Sequence, residues 1–318
     1  MRSFKAERRT RSRAGLAVRG VALAAIGASF AVPLLRKRLR LPAAATVAAT
    51  AAGPLGTAIL RPRTRTRDAI LFAQQMWAFT MIHELPYDDP EALRRRLKIH
   101  YPIRADRAIG AGRLPNWRLQ RKLTVEGEVT GIDRFLTWAH WIWFFEPHAS
   151  LLFILLRDDR AFARAARQMA AAYDLGCIGY FAVPTAPPWW ASEQGYTGEE
   201  RVRRLMVQVG EETWGGAWPH LYNSLGGNPW AAMPSLHFGA SILAATLLAE
   251  SSTPAGVAGF AYAGVLGVAL VHLGEHYVVD LLAGLGLVAL IRGGEPLVEP
   301  LALALSDGVQ RLERIAAG

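Results

Sequence analysis

Residues 256–291, GVAGFAYAGVLGVALVHLGEHYVVDLLAGLGLVALI, decide how the chain folds. Two apolar runs, 256–274 and 277–291, meet at GEHYVVD, which carries a glutamate, a histidine and an aspartate. Crossing a bilayer core takes about 20 apolar residues per helix, and each run with its flanks comes close to that length. The stretch therefore reads as two membrane-crossing helices joined by a polar turn. Ionisable residues at such depth are expensive in lipid, so the turn is a functional candidate from the start.

Further runs flank it. FLTWAHWIWFFEPHASLLFILL (135–156) and FGASILAATLLAE (238–250, with its flanks) are the clearest, and weaker ones occupy 15–35, 42–60, 68–82 and 162–183. Together they predict an all-α fold, a polytopic membrane helical bundle with about six to eight spans. Composition agrees: 52% of the 318 residues are hydrophobic, the mean hydropathy is +0.16 and the net charge is +10. Arginines cluster at the ends of apolar segments rather than on one polar face, which suits anionic lipid headgroups and argues against nucleic acid. A single cysteine, Cys177, excludes an intramolecular disulfide and a multi-cysteine zinc site. The basic N-terminus precedes a long apolar run without a small-residue cleavage site, so it reads as a retained first helix rather than a signal peptide.

This divides the chain into a basic tail with two apolar segments (1–67), a membrane-embedded catalytic domain (68–295) and a C-terminal tail (296–318). The polar stretch 87–131 is expected at the membrane surface as amphipathic helices. A second polar loop covers about 189–232. Lysine and arginine placement puts the N-terminus, RPRTRTR (61–67) and RDDRAFAR (157–164) on the cytoplasmic side. PTAPPWW (184–190), AAMPSLH (231–237) and GEHYVVD then face outward, as at a plasma membrane with an outer-face active site. RKRLR (36–40) falls outside against the rule, unless the first two segments form a shallow hairpin.

VHLGEHYVVD (271–280) allows two chemistries. As H-x-x-E-H, with His272, Glu275 and His276, it matches an inverted zinc-protease pattern, which also needs a third ligand and an open water position. Gly274 within the motif and the Val-Val-Asp continuation have no role there. A structural zinc site of His272, His276 and Asp280 is a similar minor alternative. As H-x-x-x-D, His276 and Asp280 stand at i, i+4, the spacing that shares a helix face. A carboxylate there takes the proton of one ring nitrogen and leaves the other nucleophilic. His237 lies 39 residues before His276 with the turn signal ESSTPAG between, enough for two crossings of a ~30 Å core. A hairpin of that length returns both histidines to one face. Pro234 and Ser235 look like a helix start whose free N–H groups can hold a phosphate oxygen. Two opposed imidazoles around an anion site suit phosphoryl transfer, one attacking phosphorus and the other protonating the leaving oxygen.

AAMPSLHFGAS (231–241) and GEHYVVDLLAG (274–284) resemble the second and third signature motifs of the type 2 phosphatidic acid phosphatase superfamily. They are closer still to its inositol phosphorylceramide synthase-like branch, where Leu commonly replaces the Gly of P-S-G-H. HYPIRADRAIGAGRLPNWRLQ (100–120) and PTAPPWW look like that branch's bacterial members. The resemblance implies a six-helix core, metal-independent chemistry without a cofactor, His276 as nucleophile, Asp280 as its orienting carboxylate and His237 as general acid. It also implies a membrane lipid phosphate as substrate, with water or a second hydroxyl such as a polyol or lipid alcohol as acceptor. Two features depart from the family. Ala269 and Leu270 stand where a Ser-Arg pair is usual, and no K-x6-R-P motif is present. Stand-ins for the phosphate-binding cations are His272, Lys98 or Arg104, beside Ser235. A non-catalytic lipid-binding or scaffold protein of the same fold is the alternative from a different class.

Around these motifs the simple readings are structural. Trp189 and Trp190 read as an interfacial aromatic belt, and Asn228 and Pro229 as turn residues. His140 and His148, in the aromatic run, are candidates to line a cavity.

Overall fold

The computed structural model describes residues 13–225 and 228–317, and the described residues are overwhelmingly helical, with two isolated β-bridges and no strand. Contacts divide the chain into two compact units, 1–85 with 294–318, and 86–293.

The first unit contains α1 (Arg13–Leu39), α2 (Ala43–Leu60) and α3 (Arg65–His83). α1 and α2 pack along one another, and α3 lies against α2. From α3, the Trp77 indole donates to the Ser29 carbonyl in α1 (2.9 Å). Within RKRLR, Arg36 is buried, donates to the Pro33 carbonyl and lies 3.7 Å from Glu84. A cation that finds internal partners in this way does not need a headgroup.

The second unit begins with three short helices, α4 (Pro90–Arg96), α5 (His100–Ile109) and α6 (Pro115–Leu123). α7 (Gly131–Ile142), α8 (Glu146–Arg157) and α9 (Asp159–Ala182) follow. The loop region holds α10 (Pro188–Glu193), α11 (Leu205–Trp214) and α12 (Trp218–Leu225). α13 (Leu236–Ser251) and α14 (Thr253–His272) form the hairpin, and α15 (Val278–Ala317) begins in this unit. α13 packs on α14, α8 and α9, while α14 packs on α7 and α6.

Local chemistry sets the helix starts. Thr130 and Asp133 form a capping box at α7, Asp158 caps α9 and Ser235 caps α13, each satisfying backbone N–H groups that have no partner within the helix. Pro254 opens α14 at a position where a missing N–H costs nothing. Between α7 and α8 the axis bends by 49°, and Pro147 in the first turn of α8 prevents a continuous ladder.

The described helices include four that are long and apolar enough to cross a membrane: α1, α2, α14 and α15. The bent pair α7–α8 is a fifth if taken as one span. This is fewer than the six to eight expected. α3 and α9 have the length, but Arg65, Arg67 and Asp68 charge the first, and Arg160, Arg164, Arg167 and Asp174 the second. α13, with 16 residues, reaches only about 24 Å at 1.5 Å per residue. The fold is an all-α polytopic membrane bundle.

Candidate active site

α13 and α15 meet at two glycines. A Cβ added to Gly284 would sit 2.6 Å from the Ser235 carbonyl and 3.3 Å from the Gly239 nitrogen, so only glycine lets these backbones touch. The Ser235 N–H donates to the Asp280 carbonyl (2.9 Å), and its hydroxyl accepts from the Phe238 N–H (3.3 Å). His237 therefore leaves the first turn of α13 directly beside the start of α15.

The hairpin then does what its length predicts: His237 Nδ1 lies 3.2 Å from His276 Nε2. His276 itself is not helical. The chain leaves α14 at His272, turns through Gly274 (φ +80°) and enters α15 at Val278. A side chain at Gly274 would be strained at that φ and would stand 2.8 Å from the Arg203 carbonyl. The expected shared helix face of His276 and Asp280 is thus replaced by a turn followed by a helix start. Asp280 Oδ2 accepts from the Tyr277 N–H (2.9 Å), the returning half of a capping box, and lies 3.4 Å from His276 Nδ1.

The nearer partner of His276 Nδ1 is the Ala232 carbonyl, at 3.0 Å. A carbonyl only accepts, and an ionised Asp280 carboxylate only accepts, so both place the proton on Nδ1. Nε2 is left with its lone pair, facing His237. His276 is 3% exposed and Asp280 is fully buried, so little water competes for either.

Residues that look solvent-facing in the sequence hold this turn. Asn116 of α6 donates through Nδ2 to the carbonyls of Val271 (2.7 Å) and His276 (2.9 Å). Gln120, one turn on, donates to the carbonyls of His272 and Arg203 and accepts from the Arg203 N–H. Asp106 of α5 takes the N–H groups of Val278 and Val279, both at 2.9 Å, and so caps α15. Burial pushes its carboxyl up to about 6, opposed by those two hydrogen bonds. Their i, i+4 and turn-proximal spacing within 100–120 is a signal, but it does not say which backbone they serve. Stretch 87–131 is accordingly a scaffold for the site.

The residues of H-x-x-E-H turn to three different partners. His272 Nε2 donates to Asp133 Oδ1 (2.7 Å), with both side chains fully buried, and ties α14 to the start of α7. Glu275 pairs with Arg204 (3.1 Å), whose guanidinium also lies 3.9 Å over the Trp189 ring and donates to the Tyr222 hydroxyl. His276 faces Ala232 and His237 as described.

Lys98 has an exposed side chain and contributes its backbone. It bridges to Thr185, which bridges to Ala231, so a three-segment ladder sets the position of the Ala232 carbonyl. Arg104 is exposed on α5. PTAPPWW enters the same framework: the Trp189 N–H donates to the Gly274 carbonyl (3.1 Å), and the Trp190 ring meets Trp230 edge-on at 4.8 Å. Asn228 accepts from the Trp230 N–H, closing an Asx turn. His148, in α8, is exposed.

A model of the PAP2 superfamily matches residues 117–293, more than half of the chain, including His237, His276 and Asp280. No curated protein and no solved structure gives a significant match.

Proposed function

The chain belongs to the PAP2 superfamily, and on that premise we propose that it is an integral-membrane lipid phosphate phosphatase or phosphotransferase working through a phosphohistidine on His276. The observation that carries this reading is the contact of His276 Nε2 with His237 Nδ1, made while Nδ1 of His276 is engaged by Ala232 and Asp280. The phosphoryl group of a phosphate ester takes the place of the direct His237–His276 hydrogen bond. Nε2 attacks phosphorus and the ester P–O bond breaks. His237 gives its proton to the departing alkoxide, which leaves as the alcohol. Asp280 and the Ala232 carbonyl stabilise the positive charge that develops on the ring. In the second half His237 takes a proton from water, or from a second hydroxyl, which attacks phosphorus and breaks the N–P bond. Water gives hydrolysis and a hydroxyl gives transfer, using the same residues. The PSLH motif of the inositol phosphorylceramide synthase-like branch favours transfer. The charge distribution favours a site on the outer face of the plasma membrane.

Purified full-length protein in detergent, offered short-chain phosphatidic acid or polyprenyl phosphate, is expected to release phosphate or pass it to an added polyol. His276→Ala and His237→Ala should each lower kcat by about 10³-fold or more. A labelled, acid-labile phosphoenzyme should form in the wild type and be missing in His276→Ala. Full turnover in His276→Ala would refute the reading. A second reading, a non-catalytic lipid-binding or scaffold protein of the same fold, draws support from Ala269 and Leu270, both fully buried and apolar where the family keeps a Ser-Arg pair. It predicts lipid binding with no turnover by the wild type.

A further inference from the structure

His237 is enclosed by rings from one short stretch at the end of α7. The Trp143 ring lies with its centroid 4.1 Å from that of His237, and the His140 ring lies at 5.0 Å. His276 completes the group at 5.3 Å. His140 and Trp143 are three residues apart, so they reach the same side of the helix end. Both ring nitrogens of His140 are buried without a hydrogen-bond partner, on a residue only 5% exposed, and the indole nitrogen of Trp143 is in the same condition. One imidazole N–H and one indole N–H are thus buried beside His237 with no acceptor, and buried donors of this kind call for an explanation.

We propose that His140 and Trp143 are the phosphoryl-oxygen ligands of this site, a pair of neutral N–H donors standing where related proteins use cations. The inference rests on the phosphoryl-transfer reading above. Neutral imidazole offers one N–H and indole offers one, and neither carries a charge in that form. An anion between His237 and His276 has oxygens that need donors, and these two side chains flank the ring that serves the leaving group. Hydrogen bonds from a buried neutral donor to an anion are charge-assisted and strengthen in a water-poor site. Bonds of this kind also select for an anionic phosphoryl oxygen over an uncharged ester. Both residues then touch substrate and are catalytic residues in that sense.

The test removes the donors while keeping the rings. Trp143→Phe and His140→Phe keep aromatic bulk beside His237 and lack N–H, and His140→Gln restores a donor at about the reach of Nε2. Full-length protein is assayed for turnover of short-chain phosphatidic acid and for inhibition by orthovanadate, a mimic of the pentacoordinate phosphoryl group. The expected result is a vanadate affinity about tenfold or more weaker in each Phe variant, about 100-fold weaker in the double variant, and partly recovered in His140→Gln. kcat/KM should fall in parallel while thermal unfolding stays within a few degrees of the wild type. Wild-type vanadate affinity and turnover in both Phe variants would overturn the assignment and leave the His276 mechanism standing. If either Phe variant does not fold, His140→Gln and Trp143→His decide, since each keeps a donor and should retain part of the affinity; loss of vanadate binding in either overturns the proposal. Absence of turnover and of vanadate binding in the wild type would remove the phosphoryl-transfer reading itself, and this assignment with it.

Discussion

Gly284→Ala is the sharpest probe of how the site is assembled. The added methyl would stand 2.6 Å from the Ser235 carbonyl oxygen and 3.3–3.5 Å from the Gly239 backbone, whereas ordinary van der Waals contact of a Cβ lies at 3.4–4 Å. The atoms it meets are backbone, so no side chain can rotate away. α13 must move from α15 by most of an ångström, or the overlap must be absorbed as strain of about 1–3 kcal/mol. Either way Ser235 and His237 shift together, because the Ser235 N–H to Asp280 carbonyl bond (2.9 Å) spans the same contact. The 3.2 Å separation of His237 Nδ1 from His276 Nε2 would open by a comparable amount. Misplacement of a catalytic group by about 1 Å costs roughly 100-fold in rate.

A control lies two residues further along the same helix. A Cβ at Gly286 meets nothing within 4 Å, so Gly286→Ala replaces a poor helix former with the best one and should stabilise by up to about 1 kcal/mol. Turnover of short-chain phosphatidic acid and thermal unfolding of both variants in detergent give the comparison. Gly284→Ala is expected to lose about 100-fold in kcat and to melt lower, while Gly286→Ala keeps its rate and melts at the same temperature or higher. Equal rates in the two variants would refute the reasoning that backbone contact between α13 and α15 sets the histidine pair.

Two further outcomes follow from the scaffold of the turn. Asn116→Leu removes the side-chain donor to the carbonyls of Val271, which keeps the Gly274 N–H, and of His276, which should cost about 1–3 kcal/mol in stability and lower kcat well beyond the loss in lipid binding, read by thermal unfolding and by kcat against KM. Asp106 carries its proton up to about pH 6 in the folded protein against about 4 when unfolded, so the folded state binds more protons across that window and stability falls as pH rises from 4 to 6. Asp106→Asn removes that slope, so melting temperature plotted against pH for wild type minus variant should decline over the window and be level above it; a rising difference would contradict the burial argument.

What could be read in the sequence was the order of apolar segments and the distance between His237 and His276, since both depend on length and hydrophobicity along the chain. The i, i+4 spacing of His276 and Asp280 predicts proximity on a shared helix face; the two side chains are 3.4 Å apart, but across a turn that enters a helix. Spacing alone cannot tell a helix face from a turn that runs into a helix N-terminus. Gly274 was the signal, because a glycine two residues before a candidate helical histidine more often marks a turn. The span count differs where length and charge disagree, in α3 and α9, which are long enough to cross a bilayer but carry arginines and aspartates along their length. Asn116, Gln120 and Asp106 were beyond reach for a different reason. Each sits among arginines that look solvated, and each is needed only because a tight turn exposes backbone groups that are not adjacent in sequence. The same limit applies to His140 and Trp143. An aromatic run at a membrane interface is the ordinary reading of WAHWIWFF, and nothing in residue order distinguishes a tryptophan facing lipid from one whose N–H is buried beside a histidine. The proposed substitution of neutral donors for cations therefore leaves no motif. The trace it leaves is unpartnered nitrogens around an imidazole, which depend on how α7 packs against α13 and not on residue order.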